Sequence, residues 1–125
     1  MIDWYWMFAL MLFCHVIEDF HIQGILANLK QANWWKESVE DFEPYCRDYI
    51  VALLIHGFEW SFFVHIPLMW FIGFTPAVCI SLFINTLLHS FIDDLKCNKE
   101  LTNLKQDQLL HIIQIALTIA FISWS

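Results

Sequence analysis

Positive charge is scarce in this sequence. The 125 residues include six Lys and Arg against thirteen Asp and Glu, which gives a formal net charge of −7 at pH 7. A protein that binds nucleic acid needs positive surface to meet the phosphate backbone, so this balance excludes a nucleic-acid partner. Charged residues of either sign make up only 15% of the chain, whereas soluble domains contain about 25%. An ordinary soluble domain is therefore excluded as well.

Cysteine motifs and leader signals are also missing. No CxxC spacing occurs, which leaves a zinc ribbon or a thioredoxin-type motif unsupported; the four cysteines are Cys14, Cys46, Cys79 and Cys97. Three of them lie in or beside apolar segments, where free cysteine behaves as a small hydrophobic residue. The N-terminal apolar run has no basic region and no small-residue cleavage site, so we expect a retained membrane span rather than a signal peptide.

Apolar residues, by contrast, are abundant. They make up 59% of the chain, aromatic residues make up 18%, and the mean hydropathy is +0.56. A soluble domain of this size could not bury so much apolar surface. We therefore predict an all-α fold, a four-transmembrane-helix bundle forming a single integral membrane domain over residues 1–125. The spans are expected at about 4–22, 49–72, 76–95 and 107–124.

Two irregular features are expected within this bundle. Pro67 is predicted to interrupt the second span, because proline lacks the backbone N–H that a helix needs. The connection between the first two spans, residues 24–48, mixes charged and aromatic residues. It is predicted to form an interfacial segment between helices 1 and 2, with a short helix lying at the membrane surface.

The basic residues predict the orientation of the bundle. All six lie in the first and third connections, as Lys30, Lys36, Arg47, Lys96, Lys99 and Lys105. With four spans, these two connections share one side of the membrane, and the positive-inside rule makes that side cytoplasmic. Both termini are then predicted outside.

Several predicted spans carry ionisable residues, which are costly inside a membrane and need a reason. Three pairs of His and Asp are four residues apart, so each pair shares a helix face: His15/Asp19, His89/Asp93 and Asp107/His111. With His56, they are expected to meet in the cytoplasmic half of the bundle. Four imidazoles and three carboxylates suit a divalent transition metal, one ion or two, with Zn or Mn favoured. The alternative is a hydrogen-bonded network that joins the helices.

The order of these residues resembles a known family. Residues 15–23, HVIEDFHIQ, with Lys30 after them, resemble the HxxxDFxxQ…K opening of a family of small bacterial and phage membrane proteins of uncharacterised function. The later elements follow as His56, HxxxDxxK over residues 89–96 and DQxxH over residues 107–111. By its His/Asp arrangement, this family is similar to inner-membrane metal-dependent hydrolases. The resemblance implies hydrolysis and a place in the bacterial, or host, inner membrane.

One local departure from the motif concerns the acid after His89. Asp94 follows Asp93 directly, so the sequence offers two adjacent carboxylates where the motif has one. The motif and the four-residue spacing both favour Asp93 as the ligand.

Three residues beside the expected site are candidates for catalysis. Lys30 and Lys96 flank it at the cytoplasmic interface and are expected to hold an anionic group such as a phosphate; the alternative is that they anchor helix ends. Glu18 is a candidate general base, or else it faces the neighbouring connection. Glu59 is open to the same two interpretations.

The remaining polar residues are assigned supporting roles. Gln23 and Gln108 either orient the metal ligands or form hydrogen bonds in caps and loops. His21 and His65 lie outside the pattern of spacings. His65 is deeper in the second span than His56, and we expect an interfacial histidine whose hydrogen bonds are satisfied.

The leading hypothesis is a membrane-embedded, metal-dependent hydrolase that acts on a phosphoester or lipid-linked substrate. Its partners would be membrane lipids and an anionic or phosphorylated small molecule, and its oligomeric state stays open. The alternatives are a small channel, transporter or proton relay, a b-type haem protein, and a non-catalytic phage accessory membrane protein. Against the channel, the polar residues are expected to stop in one half of the bilayer.

Overall fold

The computed structural model describes residues 1–125 and contains six α-helices and no strands. The helices are α1 (Trp4–Ile17), α2 (Leu26–Leu29), α3 (Ala32–Ser38), α4 (Asp48–Ile72), α5 (Pro76–Cys97) and α6 (Leu104–Trp124). A π-helical turn, Glu18–Ile22, continues α1, and a 3₁₀ turn, Glu43–Tyr45, precedes α4. The all-α prediction is confirmed.

Four helical stretches are long and apolar enough to cross a membrane: Trp4–Ile22, Glu43–Ile72, Pro76–Cys97 and Leu104–Trp124. Each of the four predicted spans corresponds to one of them. The expected interfacial segment between the first two contains α2 and α3, two short helices joined by a bend. The long helices stand next to one another, with α4 packed against α1 and α5, and α6 packed against α1 and α5.

Residues with short polar side chains cap the N-termini of three long helices. Asp3 Oδ1 accepts two backbone N–H groups from the first turn of α1. Thr75 Oγ1 accepts the N–H of Val78 at the start of α5. Asn103 and Gln106 bond reciprocally at the start of α6, forming a capping box. These caps satisfy N–H groups that have no partner within the helix.

The expected interruption at Pro67 is wrong, since α4 continues through Pro67 as one 25-residue helix. Proline is tolerated inside a helix that is packed among other helices, because its neighbours can compensate for the one backbone hydrogen bond that is lost. The helix instead ends at Gly73, whose φ of 84° lies in the left-handed region that favours glycine.

Two layers make up the interior of the bundle. The layer nearer the termini holds the apolar core, which consists of Met7, Met11, Trp60, Val64, Leu68, Val78, Ile115 and Ile122, and it also contains buried polar side chains such as His65 and Asn85. The layer nearer the first and third connections is built from buried histidines and carboxylates. Trp60 belongs to the apolar layer and also touches the polar one, so the indole marks the boundary between them.

A close approach of α4 and α5 at Gly57 sets the width of the polar layer. A Cβ atom placed there would lie 2.1 Å from Ser90 Oγ and 2.6 Å from the carbonyl oxygen of Thr86. Ser90 Oγ donates to the carbonyl of either Leu53 on α4, at 2.9 Å, or Thr86 on its own helix, at 2.8 Å. Only glycine allows the two helices to come this close, and the adjacent residue His56 thereby reaches α5.

Candidate metal centre

Histidines and aspartates from all four long helical stretches meet in the polar layer. All seven predicted ligands are at least nine-tenths buried: His15, Asp19, His56, His89, Asp93, Asp107 and His111. The pattern of four-residue spacings therefore identified side chains that do share the interior. Asp94, the alternative to Asp93, lies outside the cluster, half-buried, where its carboxylate accepts a hydrogen bond from Asn98.

The π-helical turn explains how α1 contributes two adjacent acids. In a regular α-helix, neighbouring side chains point about 100° apart. At the π turn the backbone N–H of Gln23 bonds to the carbonyl of Glu18, five residues earlier. Both Glu18 and Asp19 are buried in this wider turn. Such turns occur frequently at functional sites.

The first set of ligand atoms joins the π turn after α1 with α4 and α5. Its members are Asp19, His56 and His89. His56 Nε2 lies 3.2 Å from His89 Nε2 and 3.6 Å from Asp19 Oδ1. Asp93 adds a further oxygen, because its Oδ2 is 3.3 Å from His56 Nε2. These atoms surround one point from three helices.

The second set joins α5 and α6, and its members are His89, Asp93 and His111. His111 Nε2 lies 3.4 Å from Asp93 Oδ1 and 3.5 Å from Asp107 Oδ1. Asp93 thus presents one oxygen to each set. His89 Nε2 is common to both sets, and one nitrogen can ligate only one ion.

The separations of His56 and His111 from the aspartates fit a metal coordination sphere, whereas His89 Nε2 lies farther from the carboxylates, 3.9 Å from Asp19 Oδ1 and 3.8 Å from Asp93 Oδ1. Imidazole and carboxylate ligands at 2.0–2.2 Å from a tetrahedral ion lie about 3.3–3.6 Å from one another. The distances from His56 and His111 to the aspartates fall in this range. Asp19 Oδ1, Asp107 Oδ1 and His111 Nε2 are buried and have no hydrogen-bond partner. Buried polar atoms without partners are costly. A cation in the first set would satisfy Asp19 Oδ1, and a cation in the second set would satisfy Asp107 Oδ1 and His111 Nε2.

The net charge of the polar layer also favours a bound cation. Five buried or half-buried carboxylates lie in this layer, from Glu18, Asp19, Glu59, Asp93 and Asp107, while Lys30 and Lys96 are the two ammonium groups that pair with them. With neutral histidines, three negative charges remain uncompensated. Buried charge of one sign is strongly unfavourable in a low-dielectric interior. The layer therefore requires either bound cations or protons.

Aromatic stacking fixes the central histidine. The ring of His89 stacks on Trp60, with centroids 4.2 Å apart and planes 16° from parallel. Its other neighbour is the ring of His111, also at 4.2 Å and 27° from parallel. His89 is thus held between two rings, which limits its rotation and keeps Nε2 directed at the carboxylates.

His15 stands apart from both sets of ligand atoms. Its Nδ1 lies 2.8 Å from the indole Nε1 of Trp60, and its Nε2 lies 3.0 Å from Gln108 Oε1. Its nearest ligand carboxylate is Asp19, whose Oδ2 is 3.6 Å from Nδ1. The role of His15 as a metal ligand stays a prediction, since both ring nitrogens already have other partners.

Lys30 is buried against the cluster. Its Nζ donates to Asp93 Oδ2 at 2.5 Å and to Gln23 Oε1 at 2.9 Å. Asn98, just after α5, holds the backbone here by donating to the carbonyl of Lys30 and accepting the N–H of Ala32. The first connection is therefore fastened to the end of α5, and this places the ammonium group beside Asp93.

Lys96 lies at the rim of the cluster. Its Nζ is 2.5 Å from Asp107 Oδ2, and its side chain is 27% exposed. Beside it is a cavity of about 170 Å³ lined by Asp19, Phe20, Gln23, Lys30, Lys96, Leu104 and Gln108. Two ammonium groups, two amides and a carboxylate in one small cavity make it suitable for an anionic group in contact with the cluster.

Glu18 does not line this cavity. It is fully buried behind His56, where its Oε1 lies 3.3 Å from His56 Nδ1. Glu18, His56 and Glu59 form a third set of ligand-type atoms. A carboxylate on the second nitrogen of a ligating histidine orients the ring and fixes its tautomer. The contacts favour this orienting role for Glu18, and its role as general base stays a prediction.

The other two histidines differ sharply from each other. His21 is exposed. His65 is fully buried, with Nδ1 2.7 Å from the Ser61 carbonyl and Nε2 2.8 Å from Ser81 Oγ. The expectation that its hydrogen bonds are satisfied is confirmed.

Two residues of the site were missed by sequence reasoning. Trp60 had a usable signal, because it lies four residues after His56 and so on the same face of α4. Asn98 had none, since an asparagine after a helix commonly serves only as a cap or turn residue.

Comparisons with known proteins find no match for this chain. No protein-family model matches the chain, and neither the curated proteins nor the solved structures give a significant match.

Proposed function

We propose that the chain is an integral membrane protein with both termini outside and the cluster facing the cytoplasm. Seventeen of its thirty buried residues are polar or charged, whereas large apolar side chains such as Phe13, Phe62 and Phe83 are exposed along the helices. This distribution is the reverse of that in soluble proteins and suits a lipid surround. The basic connections support the orientation, and the motif resemblance supports the bacterial inner membrane.

Cysteine labelling tests this orientation. Cys46 is exposed in the first connection, and Ser125 is exposed at the opposite end of the bundle. A variant retaining only Cys46 should react with a membrane-impermeant maleimide in inverted vesicles and not in intact spheroplasts. A variant whose only cysteine comes from Ser125→Cys should show the opposite. Labelling of Cys46 from outside the cell would contradict the proposed topology.

We further propose that the protein is a metal-dependent hydrolase. The observation that carries this proposal is the convergence of buried imidazole nitrogens and carboxylate oxygens from all four long helical stretches, at the separations of a coordination sphere. Histidine and carboxylate ligands without thiolate favour Zn or Mn. His56, His89 and His111, with Asp19, Asp93 and Asp107, would hold one or two ions.

A bound divalent ion would supply Lewis acidity, which activates water and polarises the scissile group at neutral pH. The protein's own contribution is arranged around the cavity. Lys96 is 27% exposed there and pairs with Asp107 at 2.5 Å, so it would bind an anionic substrate by turning away from that carboxylate. Lys30 holds Asp93 in place. A carboxylate that is not used as a ligand would take the proton, and Glu18 is the candidate for that role.

The cavity also favours a substrate class. It is small and bordered by two ammonium groups, as an isolated phosphate group requires. It lies at the end of the bundle that carries the first and third connections, where a lipid headgroup would lie. We therefore favour a phosphoester, either soluble or carried by a lipid.

The test is metal analysis followed by an activity assay. Protein purified in detergent without added metal should contain stoichiometric Zn or Mn by inductively coupled plasma mass spectrometry. It should release phosphate from soluble or lipid phosphoesters, and dialysis against a chelator should abolish that release. Protein without bound metal, and without hydrolysis after Zn or Mn is added, would rule the proposal out.

One finding keeps a proton relay as the second candidate. Buried polar residues continue beyond the cluster into the half of the bundle nearer the termini: Ser61, His65, Ser81, Asn85, Gln114 and Thr118. Their side chains bond mostly to one another and to helix carbonyls. Proton flux into liposomes that depends on His65, without hydrolysis, would favour this function over the hydrolase.

A further inference from the structure

The contacts of His15 determine where its proton lies. The indole Nε1–H of Trp60 can only donate a hydrogen bond. His15 Nδ1, 2.8 Å away, must therefore accept it and carry no proton. In the neutral ring the proton is then on Nε2, which donates to Gln108 Oε1 at 3.0 Å.

This donation also sets the orientation of the Gln108 amide. Because Oε1 accepts from His15, the amide nitrogen must point the other way, towards the cluster. There it lies 3.1 Å from Asp107 Oδ2 and 3.4 Å from Asp19 Oδ2. Both of its targets are Oδ2 atoms of carboxylates that belong to the candidate site.

The Oδ1 atoms of the same two carboxylates have different surroundings. Asp19 Oδ1 and Asp107 Oδ1 are buried and have no hydrogen-bond partner. They face histidine nitrogens instead, Asp19 Oδ1 towards His56 at 3.6 Å and Asp107 Oδ1 towards His111 at 3.5 Å. The amide thus contacts one oxygen of each carboxylate, joined at Asp107 Oδ2 by Lys96 Nζ at 2.5 Å, and the other oxygen is left free for a ligand.

We propose that Trp60, His15 and Gln108 form a positioning chain that selects which oxygen of Asp19 and of Asp107 faces the metal. His15 is then a positioning residue and not a ligand. The indole sets the tautomer of the imidazole, the imidazole sets the direction of the amide, and the amide holds two carboxylates. The metal part of this inference rests on the proposed function, whereas the tautomer does not.

Trp60→Phe tests the first step, because it removes the N–H and keeps a ring that can stack on His89. In metal-free protein containing nitrogen-15 histidine, NMR should find the His15 proton on Nε2 in the wild type and on both nitrogens in a mixture in the variant. The affinity for Zn, measured by competition with a chromogenic chelator, should fall 10- to 100-fold, as is typical when a partner of metal ligands is removed.

Trp70→Phe is the matched control, since Trp70 lies on the same helix but is 83% exposed. It should change neither the tautomer nor the affinity. Gln108→Met tests the last step independently of Trp60, and should lower Zn affinity by a similar factor while the His15 proton stays on Nε2.

Several outcomes would overturn the proposal. A proton on Nδ1 of His15 in the wild type contradicts the first step. Unchanged Zn affinity in both Trp60→Phe and Gln108→Met contradicts the positioning role. In protein loaded with cadmium-113, a one-bond coupling from the metal to a His15 nitrogen would show that His15 is a ligand. A wild type that binds Zn but hydrolyses nothing overturns the hydrolase alone, and one that binds no metal overturns both.

Discussion

His89→Ala is expected to remove the bound metal and to lower phosphoester hydrolysis by more than about 100-fold. Loss of a group that merely supports a metal ligand typically costs 10- to 100-fold, and a ligand should cost more. His89 Nε2 belongs to both sets of ligand atoms, so its loss affects either position. The measurements are metal content per chain and the rate of phosphate release at saturating Zn.

A second buried histidine provides the control. His65 is as fully buried as His89, but it bonds only to Ser61 and Ser81, outside the cluster. His65→Ala therefore creates a similar cavity and should keep its metal and activity. Because the alanine variant could unfold, His89→Gln, which retains most of the volume, is measured in parallel with circular dichroism. Full metal occupancy in both folded His89 variants would contradict the assignment.

The spacing of residues along the sequence predicted much of the site, and the reason is geometric. Residues four apart on a helix share a face, so His89 with Asp93 and Asp107 with His111 could be placed together before the fold was known. Composition likewise predicted four long apolar helices, because helical spans need continuous apolar sequence. Both features are local properties of the chain.

What spacing could not supply are the contacts between helices. The separation of His15 from the ligands depends on Trp60, which lies 45 residues away, and on Gln108, 93 residues away. The buried state of Lys30 depends on Asn98 at the far end of α5. The π turn at Glu18 was not predicted, because the sequence does not distinguish such a turn from an ordinary helix end. Such features arise from packing, which local patterns do not determine.

Lys30→Met is expected to destabilise the metal-free protein by about 3–5 kcal/mol. The Lys30–Asp93 pair is buried on both sides, and removing one partner of a buried ion pair leaves the other charge uncompensated. Methionine keeps most of the apolar stem, so the loss is chiefly electrostatic. The measurement is the free energy of unfolding in mixed detergent micelles, followed by helix content in the presence of a chelator.

Lys36→Met is the matched control, because Lys36 is exposed in the same connection. Its effect should stay within about 0.5 kcal/mol. Combining Lys30→Met with Asp93→Asn removes the isolated charge and should recover part of the loss. A Lys30→Met variant as stable as Lys36→Met would contradict the buried pair.

Bound metal should reduce the loss of stability that Lys30→Met causes. A cation beside Asp93 compensates the carboxylate that Lys30 otherwise neutralises, so Zn should restore more stability to Lys30→Met than to the wild type. The competition between Lys30 and the metal for Asp93 also bears on the predicted catalytic role of Lys30. Its ammonium is held by Asp93 at 2.5 Å and can turn towards an anion in the adjoining cavity only when that hold weakens. Metal binding would weaken it, and so would couple occupancy of the site to the availability of Lys30 for substrate. If Zn stabilises both proteins equally, Lys30 and the metal do not share Asp93.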